Sequence, residues 1–188
     1  NNVQVAAKAD LPTIDKVIVN ADSNSGSDGK GTAQDVGSDV QFKLTSTVPS
    51  MDGYDSYTYT VKDTLSDGLT FKENSVVIKI KDTASNTEVT LVKDTDYTVN
   101  ASGQTFTIDF LNFINQKSNA GQTIEITYSA TLNENALTRD EETNTVRLEY
   151  SNNPNDSSSK GKTPDKTVYV YDFDIVVDKY TNNGENEK

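Results

Sequence analysis

The chain has 188 residues, 33 % of them hydrophobic, with 29 acidic against 17 basic side chains and a formal charge of -12. A surface this acidic is repelled by nucleic acid and by anionic membranes over most of its area, which argues against both as partners. Cysteine and histidine are absent, which removes the thiol nucleophile, the usual general base and the commonest metal ligands, and with them hydrolase triads and zinc sites.

In chain order, residues 1–13 (NNVQVAAKADLPT) read as a leading tail and linker, with Pro12 enforcing an extended approach. They lack the charged and apolar regions of a signal peptide in the right order, so the chain reads as a mature fragment. A first strand follows at 14–20 (IDKVIVN), then a polar, Gly-rich loop over 21–37 that is expected not to pack. Strands then recur at short spacing: 39–49, with Val40, Phe42 and Leu44 inward; 57–65, with Tyr57, Tyr59, Val61 and Asp63 on one face; and 75–81, 88–92, 96–100 and 104–111. Residues 123–132 (TIEITYSATL) put Ile124, Ile126, Tyr128, Ala130 and Leu132 on one side. The stretch 143–154 (TNTVRLEYSNNP) does the same with Val146, Leu148 and Tyr150, and one step further back that face reaches Asn144.

A low-complexity link is expected over 152–165, a long extended segment over 166–179 (KTVYVYDFDIVVDK) and a polar end after it. A short helix fits only around 111–116 or 133–138. No apolar run approaches the roughly 20 residues that span a bilayer. About nine short, β-branched and aromatic strands separated by Asn, Asp, Ser and Gly predict an all-β chain, an immunoglobulin-like antiparallel sandwich without a disulfide. The expected organisation is a tail over 1–13, one sandwich domain over 14–171 and the start of a following domain over 172–188.

Three polar residues fall where the alternation predicts core: Lys16 between Ile14 and Ile18, Asp63 beyond Val61, and Asn144 before Val146. Each taken alone is equally well explained as a strand-end residue reaching solvent. Together they suggest a reaction. Desolvation drives a buried lysine toward its neutral amine and a buried carboxyl toward its protonated acid. A neutral amine is a nucleophile, and an amide polarised by a neutral acid is an electrophile. The product is a Lys–Asn isopeptide bond, with ammonia released, and contact in a dry core supplies the effective concentration.

The runs VGSDVQFKLTSTVP (36–49), YTYTVKDTLSDGLTF (57–71), ITYSATLNENA (126–136) and NTVRLEYSNNP (144–154) together resemble the isopeptide-forming domain of Gram-positive sortase-assembled fimbrial proteins. The resemblance covers about 14–171. It implies an immunoglobulin-like sandwich in the style of collagen-adhesin domains, with Lys16 as the first-strand lysine, Asp63 as the acid of the D-T-L-S-x-G-L motif and Asn144 as the acceptor. It further implies a structural pilus module whose only catalysis is its own single-turnover cross-link, sortase-joined neighbouring subunits as partners, no cofactor, and a location on the cell surface, wall-anchored in the full-length protein.

Lys179 continues the face of Phe173, Ile175 and Val177 and is a candidate isopeptide lysine for the following domain; a solvated lysine is its plainer reading. Lys8, in VQVAAK, is a weak candidate for the inter-subunit lysine, because Ala6 and Ala7 replace the family's Tyr-Pro. LPTID (11–15) lacks the Thr-Gly ending and the hydrophobic tail of a sorting signal. The loop 22–31 alternates oxygen ligands but lacks the closing Glu of a calcium loop, and the sequons at Asn100 and Asn155 carry little meaning in a bacterial protein. The alternative function is an adhesin module binding a host protein or glycan, since the same fold serves both roles.

Overall fold

Burial alternates strictly along the long strands, so each apolar row of the sequence becomes one inner face. In the computed structural model, which describes residues 11–21 and 28–172, thirteen strands are arranged in two sheets. The first contains β1 (Ile14–Ile18), β3 (Asp39–Thr47), β5 (Leu69–Phe71), β6 (Val77–Asp82), β7 (Thr87–Thr90) and β10 (Thr123–Leu132). Its order is β1-β3-β10-β6-β7, with β5 also on β10. The second contains β2 (Gly31–Gln34), β4 (Tyr59–Leu65), β8 (Tyr97–Ser102), β9 (Thr105–Phe110), β11 (Glu142–Ser151), β12 (Lys160–Lys162) and β13 (Lys166–Asp172). Its order is β2-β13-β11-β4-β9-β8, with β12 also on β11. Every pairing between these strands is antiparallel except β2 with β13.

The inner faces form one core. Val40, Phe42 and Leu44 from β3 and Ile124, Ile126 and Tyr128 from β10 meet Tyr59 and Val61 from β4 and Val146 and Leu148 from β11. An aromatic column closes one part of it: Phe71 stacks on Phe106 with centroids 3.8 Å apart, and both present their faces to the edge of Tyr128 or the reverse. Where one face is buried, a shift of one residue would expose the entire row, so the alternation fixes the register. The expected all-β, immunoglobulin-like sandwich is therefore the architecture observed.

Three strands depart from the expected pattern. The loop expected over 21–37 contains β2, in which Thr32 is fully buried; its partner is the distant Tyr169–Asp172 stretch of β13, reached by parallel pairing. β5 is only three residues long, and β12 lies inside the expected low-complexity link. Gly161 of β12 sits against the ring of Tyr150, where a Cβ would come within 2.8 Å of ring atoms; what reads as link composition is a close approach that only glycine permits. Both expected helix sites adopt 3-10 turns, Phe113–Asn119 and Glu134–Thr138. Lys8 and Lys179 lie outside the described residues, as do 22–27 of the candidate cation loop.

Candidate functional site

β1 is a short edge strand whose inner row is Ile14, Lys16 and Ile18. Its pairing with β3 puts Lys16 opposite Leu44, while β10 on the other side of β3 puts Tyr128 opposite Phe42. Lys16 and Tyr128 thus flank β3 and both face the second sheet. There β4 turns Tyr59, Val61, Asp63 and Leu65 inward, and β11 turns Glu142, Asn144, Val146 and Leu148 inward. Asp63 pairs with Val146 and Leu65 with Asn144. Asp63 and Asn144 are therefore diagonal neighbours on adjacent strands, within reach of the side chains above.

Lys16, Asp63 and Asn144 each have 0 % exposure, so all three polar residues singled out in the sequence come together at one point. Lys16 Nζ lies 2.9 and 2.8 Å from the two carboxyl oxygens of Asp63 and donates a very short hydrogen bond to Asn144 Oδ1. It also stands 5.5 Å from the ring centroids of both Phe42 and Tyr128, the aromatic wall of the cage. Burial pulls the Lys16 ammonium pKa down from 10.5 to about 8 despite the attraction of Asp63. Burial likewise pushes the Asp63 carboxyl up, against the opposing pull of Lys16 and of hydrogen bonds from Lys16, Tyr128 and the Thr64 backbone. Both shifts favour the neutral pair, because a dry core penalises each charge. The arrangement therefore sets the Lys16 nitrogen between an acid and an amide, with water excluded.

Two residues of this site were not singled out in the sequence. Tyr128 donates from Oη to Asp63 Oδ2 at 2.8 Å and accepts from Asn144 Nδ2 at 2.8 Å. It was legible only as one of the inward residues of TIEITYSATL, and nothing in the pattern distinguishes a packing tyrosine from a hydrogen-bonding one. Glu142 is the next inward residue before Asn144 and is 1 % exposed. Extending the alternation one more step back from Asn144 would have reached it.

Glu142 ties the turn after Asp63 to the start of the acceptor strand. Its Oε2 accepts from the Gly68 amide at 2.9 Å and from Ser66 Oγ. Ser66 in turn accepts from the Thr143 amide at 2.7 Å and donates from its own amide to the Thr143 carbonyl at 2.9 Å. The D-T-L-S-x-G-L segment thus holds Asp63 and Asn144 in fixed relation from one end. Glu142 Oε1 has no hydrogen-bond partner among the described residues, although Arg139 Nε stands 3.9 Å away.

A sequence model of the family described as the Gram-positive pilin backbone subunit 2, Cna-B-like domain, matches residues 36–154, a segment that includes Asp63 and Asn144. Similar solved structures include the pilus backbone RrgB from Streptococcus pneumoniae, 28 % identical over 80 % of this chain and 33 % of that one, with a TM-score of 0.60. A C-terminal fragment of the major pilin GBS80 of Streptococcus agalactiae is 22 % identical over 86 % of this chain and 56 % of that one, with a TM-score of 0.65. The major pilin BcpA of Bacillus cereus is 20 % identical over 85 % and 40 %, with a TM-score of 0.63. At their lower identities the last two show likeness of fold alone. This chain spans between a third and just over half of these three solved chains, and a search of curated proteins by sequence finds no match. Because the family match extends over well more than half of its length and the sandwich around it has the same fold, this chain belongs to the Cna-B-like pilin backbone family of Gram-positive bacteria.

Proposed function

We propose that the chain is a structural module of a sortase-assembled pilus shaft, exposed on the cell surface and covalently reinforced by a bond between Lys16 and Asn144. The single observation that carries this reading is the insertion of Lys16 Nζ between the carboxyl of Asp63 and the amide of Asn144 in a fully buried site.

In the neutral pair, the Nζ lone pair attacks Asn144 Cγ while the carbonyl π pair moves to Oδ1, which takes the proton of the Asp63 carboxyl. The Asp63 carboxylate then takes a proton from the attached Nζ. Return of that proton from Asp63 to the amide nitrogen lets the C–N bond break, and ammonia leaves as the carbonyl re-forms and its oxygen gives its proton back to Asp63. Asp63 ends as it began, protonated, and each chain reacts once. Lys16 is the nucleophile, Asn144 the acceptor and Asp63 the proton carrier.

The bond would join the first strand of one sheet to a late strand of the other, so that pulling on the ends loads covalent structure before it shears the ladders between them. The subunits joined through sortase, and cell-wall anchoring of the whole protein, belong to the same proposal. So does the division into a lead-in over 1–13, this domain over 14–171 and a following domain from 172, in which Lys8 would serve polymerisation and Lys179 the next cross-link. The test is the intact mass of the denatured protein. The expected result is a deficit of one ammonia that disappears in Asp63→Ala; a full mass in the natural chain would sink the reading.

A further inference from the structure

Resting on the cross-linking reading above, we infer that Tyr128 is a catalytic residue of that reaction: its hydroxyl carries the proton from Asp63 to the departing nitrogen of Asn144. The observation is a closed circuit of hydrogen bonds. Lys16 Nζ bonds to Asp63, Tyr128 Oη donates to Asp63 Oδ2 at 2.8 Å, and Asn144 Nδ2 donates to Tyr128 Oη at 2.8 Å. Nδ2, the atom that must leave as ammonia, makes no hydrogen bond to Asp63 among the described residues; its partner is the tyrosine. Lys16, Tyr128, Asp63 and Asn144 are all at most 2 % exposed, so no bulk water stands ready to protonate the leaving group.

The polarity of the circuit reverses during the reaction. In the unreacted amide, Nδ2 has no available lone pair and can only donate, which it does to Oη. Once Nζ has added to Cγ, Nδ2 is a tetrahedral amine with a lone pair and becomes an acceptor. Asp63, having taken a proton from Nζ, becomes a donor through its carboxyl. A hydroxyl is the side-chain group that can donate to one neighbour and accept from another and then exchange the two roles without moving its oxygen.

The proton balance follows. Asp63 gives its carboxyl proton to Oη as Oη gives its own proton to Nδ2. The C–N bond pair leaves with nitrogen, ammonia departs, the carbonyl re-forms, and the proton shed by its oxygen returns to Asp63. Tyrosine and aspartic acid finish as they started. Burial and the neighbouring Asp63 hold the Tyr128 phenol well above its usual pKa of 10, which suits a concerted hand-over in which no free phenolate forms. The ring is fixed for the task by stacking on Phe42 at 5.2 Å and by edge contacts with Phe71 and Phe106.

The experiment uses full chains recovered unlinked under denaturing conditions, refolded by dilution and sampled over time, with ammonia loss read from the mass of each denatured sample. For Tyr128→Phe, which retains the ring and removes only the hydroxyl, bond formation is expected to slow about 10²-fold or more once folding is complete. Linking as fast as in the natural chain would overturn the relay while leaving the bond intact. The natural chain supplies a second readout that needs no variant: its rate of ammonia loss in mixtures of light and heavy water is expected to bow downward, as two protons move together. A straight line, one proton in flight, would overturn the relay even if Tyr128→Phe failed to fold. A natural chain that never lost ammonia would remove the reaction itself.

Discussion

Replacing Asn144 with Ala removes the acceptor and leaves the Lys16–Asp63 pair in place. The two residues of the proposed bond stand 128 apart in sequence, and closing a loop of that length would remove about 5 kcal/mol of conformational freedom from the unfolded chain, by analogy with a disulfide. For a domain of this size each kcal/mol moves the melting temperature by about 2 to 4 °C, so the unlinked variant should melt about 10 to 20 °C lower. The assay is thermal unfolding by circular dichroism beside urea unfolding of the same samples, with mass confirming which form is present. Because the restraint acts on the unfolded state, the unlinked variant should also expose more surface and show a steeper urea dependence. Melting within about 3 °C of the linked protein, or a drop in melting temperature with an unchanged urea slope, would refute the loop-closure reasoning.

The rate of linking on refolding should be bell-shaped in pH. The reactive state has one proton on the Lys16–Asp63 pair. The rate falls at high pH, where the pair loses that proton and Asp63 becomes a carboxylate, and at low pH, where a second proton makes Lys16 an ammonium; burial, which lowers the Lys16 pKa to about 8 and raises that of Asp63, favours the reactive form between these limbs, and a flat profile would contradict the assignment of roles. Gly68→Ala would put a methyl group 2.3 Å from the Glu142 carboxyl carbon, and calorimetry should record a loss of about 1 to 3 kcal/mol with slower linking, because the turn that fixes Asp63 must shift. Thr163→Val keeps the shape but strands the buried Leu148 amide, which donates to Thr163 Oγ1 at 3.0 Å; urea unfolding should show a cost of about 1 to 3 kcal/mol. Lys81→Ala, by contrast, breaks a part-exposed pair with Glu125 at 2.7 Å and should cost at most about 1 kcal/mol in the same assay.

The parts of this fold that could be read from the sequence are those in which a row of alternating side chains states its own register. β3, β4, β10 and β11 were legible for that reason, and the same rows exposed Lys16, Asp63 and Asn144 as residues out of keeping with their surroundings. β2 and β12 were hidden because their partners are supplied from elsewhere: β2 depends on β13, more than a hundred residues later, and β12 on the end of β11 around Tyr150. Composition reports local preference and is silent about such pairings. Tyr128 was hidden for a different reason. An aromatic on an inner row already satisfies the pattern, so its hydroxyl gave no sign, and only the diagonal meeting of β4 and β11 beneath β10 gave that oxygen two partners.

The proposed bond between Lys16 and Asn144 would also change the connectivity of the chain. Once they are joined, the polypeptide is a lariat: a closed ring running from 16 to 144, with one tail before it and another after it. A ring cannot be drawn out into a single thread by any amount of unfolding. A pore that admits one extended strand, whether for export or for degradation by a threading motor, would pass the first tail and stop at Lys16. On that reading the bond would have to form after the chain had crossed any such pore, and a dry, fully folded core as the place of reaction would ensure that order.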